Sequence, residues 1–144
     1  MNFSPQLIFH PFTSLSLVCF LVVGCGSNGK ATVYPVRGEV FFRGEPATGA
    51  EVHFHPVDST SPPAMATVDD DGAFELTTYS TSDGAAAGDY IVTINWREER
   101  PGDGEVIVGP DRLGERYSKR DISKLTATVS EGENLLDPFD LKDK

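Results

Sequence analysis

The chain has 144 residues, with 22 acidic and 12 basic side chains for a net charge of −10, and only two cysteines. Such a charge repels nucleic acid and anionic lipid surfaces, so neither is expected as a partner of the folded part. Cys19 lies in an apolar run that is set apart below, which leaves Cys25 alone and excludes an internal disulfide or a cysteine-metal site in the remainder.

The run from Phe12 to Val23 spans twelve residues. A membrane-crossing helix needs about 20 apolar residues, whereas a run of roughly 7–15 ending in small residues reads as the hydrophobic region of a signal peptide. The ending Val22-Val23-Gly24-Cys25 resembles the lipobox of bacterial lipoproteins, with Val22 where Leu is favoured and no Lys or Arg upstream. That resemblance implies a signal peptide over 1–24, acylation of Cys25 and export to the cell envelope, with the membrane as a partner through the acyl chains. Gly26, in place of an Asp, favours the outer membrane. Cleavage leaves 144 − 24 = 120 residues, enough for one domain with its own core. Residues 25–34 are polar and small and read as a flexible tether.

From Pro35 the apolar period becomes two, the mark of half-buried strands. Strands are expected near 36–42, 50–56, 64–69, 73–79, 90–96, 124–130 and 134–141. Arg43-Gly44-Glu45-Pro46 reads as a turn. Asp70-Asp71-Gly72 predicts a hairpin between the third and fourth strands, a structural role sufficient without calcium. Pro138 predicts that the last strand is an edge or bulged strand. Residues 97–123 break the pattern with Pro101-Gly102, Gly104, Gly109-Pro110 and Gly114, and within them Val106-Ile107-Val108 reads as a short strand. A connection of this length predicts a functional or mobile loop. Seven short strands at this spacing read as an all-β, antiparallel β-sandwich.

Pro35-Val36-Arg37-Gly38-Glu39-Val40, Gly49-Ala50-Glu51-Val52, Asp69-Asp70-Asp71-Gly72-Ala73-Phe74 and Ala87-Gly88-Asp89-Tyr90-Ile91-Val92 follow one another in order. In this the chain resembles the carboxypeptidase-regulatory-like, or transthyretin-like, domains of bacterial lipoproteins over about residues 35–141. The resemblance implies a seven-stranded prealbumin-like sandwich of Greek-key topology over 35–144. It says little about activity. The ending Phe139-Asp140-Leu141-Lys142-Asp143-Lys144 lacks the Tyr-Arg-Gly-Ser of the related hydroxyisourate hydrolases. Arg37 stands where an isopeptide-forming adhesin repeat would have Lys.

Two sets of residues carry candidate chemistry. His53 and His55 alternate with Val52 and Phe54, so they share one face of a strand. Intradiol dioxygenases hold iron on a related sandwich with a His-x-His pair and two tyrosines, which makes a small metalloenzyme the alternative function; two ligands alone leave the site incomplete. The second set is Arg97, Arg100, Arg112, Arg116 and Arg120 in the long loop, which predicts a contact surface. Outside residues 97–124 there are five basic and fifteen acidic residues, so an acidic envelope polymer, or another copy of the domain, would be tolerated only at this loop. The leading expectation is a lipid-anchored sandwich without cofactor or catalytic residues, serving binding or envelope structure.

Overall fold

The computed structural model describes residues 29–142, so the expected signal segment and Cys25 lie outside the described residues. The strands are β1 (Val33–Tyr34), β2 (Val36–Phe42), β3 (Glu45–Pro46), β4 (Glu51–Pro56), β5 (Ala64–Thr67), β6 (Ala73–Glu75), β7 (Ala85–Ala86), β8 (Gly88–Asn95), β9 (Arg97–Pro101) and β10 (Val106–Asp111). A single helical turn, α1 (Glu115–Ser118), precedes β11 (Leu125–Val129), β12 (Asn134–Leu135) and β13 (Phe139–Leu141).

Two sheets face each other. One has the order β11-β8-β4-β5 and is antiparallel throughout. The other is built around β2, with β6 and β3 antiparallel to it and β12 and β13 parallel to it. Arg37 thus pairs with Glu75 in β6 and with Leu135 in β12. Between the sheets lie Val36, Val40, Val52, Phe54, Leu76, Val92, Ile94 and Leu141, all 2% exposed or less. Phe54 is the hub, with ring centres of Phe74, Tyr90 and Phe139 at 6.3, 5.6 and 6.5 Å. Burying such a side chain stabilises the fold by about 1.5–3 kcal/mol. Tyr90 keeps its buried hydroxyl satisfied by donating to the Ala86 carbonyl at 2.8 Å. Gly38 faces inward on β2, where an added Cβ would stand 2.6 Å from Cζ of Phe74, so the ring crosses the strand only because no side chain is there.

The chain is an all-β sandwich, and each of the seven expected strand regions contains a strand. Four details differ from expectation. The pairing is not wholly antiparallel, because the two last strands run parallel to β2. The final strand is split into β12 and β13 around Pro138, which cannot donate to a ladder. The Asp70-Asp71-Gly72 turn does not make a hairpin within one sheet. It carries the chain from β5 in one sheet to β6 in the other, with a bridge at Met65–Thr77. Asp69 builds that turn, its Oδ1 accepting from the N–H groups of Asp71 and Ala73 at 3.0 and 2.8 Å. Finally, the ordered backbone begins before Pro35, since Val33 and Tyr34 pair with Ala86 and Ala85 and tie down the end of the expected tether.

The long connection over 97–123 is two different things. Residues 97–111 form a two-stranded hairpin, β9–β10, whose residues are mostly exposed. Its base is closed by the Arg112 N–H donating to the Trp96 carbonyl at 2.8 Å. Beyond it the chain returns to the sandwich, where Leu113 and Tyr117 are 9% and 8% exposed and Ile122 stays 44% exposed.

Candidate functional site

Strand alternation sends one set of residues of β4, β5 and β8 inward and the other outward. The outward set forms rows across the sheet: Met65, His53 and Thr93 in one, Thr67, Glu51 and Asn95 in the next. A concave surface opens over these rows. Its first part, about 690 Å³, runs from Thr81 and Ser82 past Arg37, Glu75 and His53 to Glu51 and Thr67. Its second part, about 670 Å³, shares Glu51 and Thr67 and continues past Asn95 to Arg97, Glu99 and Val108 on the hairpin. The hairpin supplies that wall because Glu99 pairs with Val108, so both project from one face.

The lining mixes the two kinds of group: Arg37, Glu51, His53 and Glu75 offer hydrogen bonds, while Met65, Ala66, Ala73, Phe74 and Leu135 make the first part largely apolar. Arg37 Nε donates to Glu75 Oε1 at 2.8 Å. A hydrogen bond from Ser82, then this one and the Arg37 charge, hold the Glu75 carboxyl below the usual carboxylate range. Met65 and Leu135 give the first part its apolar contact, 55% and 84% exposed. Such an arrangement can hold an extended polar ligand along its length.

Of the residues singled out from the sequence, His53 and Arg97 line this groove. His55 shares the face with His53, as expected, and their rings stack with centres 6.3 Å apart. Its Nε2 and the buried Thr93 hydroxyl share a hydrogen bond of 2.9 Å. Burial, then the charge of Arg120 and the neighbouring His53, push the His55 pKa below its ordinary value. Among the described residues no group of three His, Cys, Asp or Glu side chains is placed to hold a metal ion. The pair is therefore brought together without a third ligand of those types, and one of its nitrogens is already engaged.

The five arginines are not one surface. Arg100 pairs with Glu98 at 2.8 Å within the hairpin. Arg112 stacks on Trp96 and Arg116 lies over Tyr117. Arg120 donates from Nη2 to the Pro56 carbonyl at 2.9 Å, at the other end of β4. Glu51, Met65, Thr67 and Asn95 were not singled out from the sequence. Their only signal is that they occupy the outward phase of strands whose inward phase is apolar, and that phase is shared by every solvent-facing residue.

No protein-family model and no curated protein matches the chain. Among solved structures it is similar to a proposed carbohydrate-binding protein from Pseudomonas aeruginosa, at 13% identity and a TM-score of 0.43, covering 78% of this chain and 90% of that one. It is similar also to a 9R-lipoxygenase from Cyanothece, at 11% identity and TM-score 0.42, covering 76% of this chain and 16% of that one. A DUF3823 family protein from Parabacteroides merdae matches at 16% identity and TM-score 0.36, over 78% of this chain and 46% of that one. At these scores the likeness bears on neither ligand nor activity.

Proposed function

We propose that the chain is a non-catalytic binding module of the cell envelope, exported and held to a membrane by acyl chains on Cys25, with an extended polar ligand lying along the groove. One observation carries the reading: two concave surfaces that meet at Glu51 and Thr67, lined by both polar and apolar side chains, lead from the β2 sheet, over the outer face of β4 and β5, onto the β9–β10 hairpin. An open channel of that length suits a chain-like ligand, whereas chemistry that must exclude water needs closure. The lipobox-like ending at Cys25 and the resemblance to carboxypeptidase-regulatory-like domains support the same placement.

Co-sedimentation of the full chain with isolated envelope polymer tests the groove. Met65→Arg and Thr67→Arg fill its floor from exposed positions and are expected to weaken association about tenfold, the effect of roughly 1.4 kcal/mol. Association unchanged by both substitutions removes the groove from consideration. Anchoring is tested separately. Mass spectrometry of the mature protein is expected to find diacylglyceryl on Cys25, and Cys25→Ser to move the protein to the aqueous phase or block its processing. A membrane-bound protein that keeps Met1 refutes the anchor.

A further inference from the structure

The end of the sandwich where β2 finishes and β9 begins gathers three guanidinium groups, each against an aromatic ring. Arg112 lies 3.8 Å from the Trp96 ring centre, Arg43 lies 5.2 Å from Phe42, and Arg116 lies 5.3 Å from Tyr117. Phe42 and Trp96 meet edge to face at 5.9 Å, and Trp96 is pinned by Nε1 donating to the Thr48 carbonyl at 2.9 Å. Between Phe42, Leu113, Arg112, Arg116 and Lys142 opens a recess of about 420 Å³. Small-ligand sites fall between about 300 and 1,000 Å³.

The charge of this recess is opposite to that of the chain. Among the described residues, its lining holds Arg112, Arg116 and Lys142 beside the carboxylate of Asp111. That carboxylate is turned into the protein: Oδ1 accepts the Leu113 N–H at 2.9 Å, and Oδ2 is buried without a hydrogen-bond partner. The groove described above is the reverse, with Glu39, Glu51, Asp69 and Glu75 against Arg37.

We infer that this recess is a second site, distinct from the groove, that takes the carboxylate of an acidic polysaccharide. A guanidinium stacked on a ring keeps its N–H donors in the plane, where they meet a carboxylate in forked fashion, and stacking holds that plane in place. Phe42, half-buried in the wall, offers apolar surface to the C–H face of a sugar ring. A phosphate polymer would meet the cations equally well but has no ring face for Phe42. The site lies at the far end of the sandwich from β1, the length of the seven-residue β2 away, or about 23 Å. A tether entering at β1 therefore leaves it facing away from the attachment.

Isothermal titration of the full chain in mild detergent with polygalacturonate, polyphosphate and neutral dextran tests this. Polygalacturonate is expected to bind, more weakly as salt rises, and dextran not to bind here. Arg112→Gln and Lys142→Ala are each expected to weaken polygalacturonate about tenfold, as loss of a charge-assisted hydrogen bond does. Lys30→Ala, a cation over Tyr79 at the opposite end, is expected to change nothing. Lys142 is exposed, so its substitution decides the matter even where Arg112→Gln disturbs the packing on Trp96. No binding of polygalacturonate, binding indifferent to Lys142→Ala, or tighter binding of polyphosphate overturns the assignment.

Discussion

Substituting Gly84 by Ala separates two reasons for a glycine. Gly84 has φ +94°, and an added Cβ would lie 1.7 Å from the backbone oxygen of Tyr34 and 2.4 Å from its carbonyl carbon. Neither is a side chain that can swing aside. The Tyr34 peptide must retreat, which strips β1 from its pairing with β7, or Gly84 must move and give up the hydrogen bond from its N–H to the Leu76 carbonyl, 2.8 Å. The left-handed backbone alone costs an ordinary side chain about 1–2 kcal/mol. One backbone group left unsatisfied adds about 1–3 kcal/mol, so Gly84→Ala is expected to destabilise the domain by about 2–5 kcal/mol. Gly132 supplies the control, since its φ is +99° and nothing lies within 4 Å of its added Cβ. Gly132→Ala should cost only the dihedral term, about 1–2 kcal/mol. Urea unfolding of both variants, read as midpoint shifts at constant slope, measures the difference. Equal costs, within about 0.5 kcal/mol, would refute the backbone overlap as the reason for this glycine.

Three further outcomes are expected. Because the His55 pKa is lowered in the folded state, the unfolded chain takes up the proton first as pH falls. Stability is then full above about 6.5, the ordinary histidine value, and declines as pH drops from there towards the folded value; His55→Gln should flatten melting temperature over pH 5–7, and an unaltered slope would place its origin elsewhere. Joining Arg97 to Asp111, which face each other across the base of the hairpin, by a two-residue turn should leave the domain folded with stability within about 1 kcal/mol, because β9 buries no side chain. Loss of cooperative unfolding in that deletion would show that the hairpin is part of the core. With His55 Nε2 engaged by Thr93, EDTA should leave the melting temperature unchanged, and a drop restored by zinc or iron would reinstate a metal role for His53 and His55.

The strands were legible because each buries one face, and a period of two survives in the sequence whenever that is so. Val36, Gly38 and Val40 against Arg37 and Glu39 show it plainly, and those residues do alternate between core and solvent. Pairing partners were less legible. Alternation records which face a residue takes and is silent on which neighbour lies beside it, so the parallel approach of Phe139–Leu141 to β2 left no trace in the pattern. Of the hairpin, Val106-Ile107-Val108 was legible as a short strand and lies in β10, but β9 was hidden for another reason. Arg97-Glu98-Glu99-Arg100-Pro101 is polar on both faces because neither is buried, and a strand without a buried face has no hydrophobic period to read. The arginines misled in their turn, because linear clustering brought Arg100, Arg112 and Arg120 into one stretch that the fold then disperses. Arg43 and Lys142, which join Arg112 and Arg116 at one end, come from opposite ends of the domain.

The placement of β2 also sets a schedule for folding. It is the first long strand of the domain and it is flanked by the last, with Val40 beside Phe139, so that sheet stays open until almost the whole chain is present. Contacts so remote in sequence carry the greatest loop-closure cost and form slowly. In a chain threaded outward from its amino terminus, Val36 to Phe42 would wait with an unpaired flank while some hundred residues follow. Until Phe139 arrives, that flank is a sheet edge open to pairing with any other strand, another copy's included.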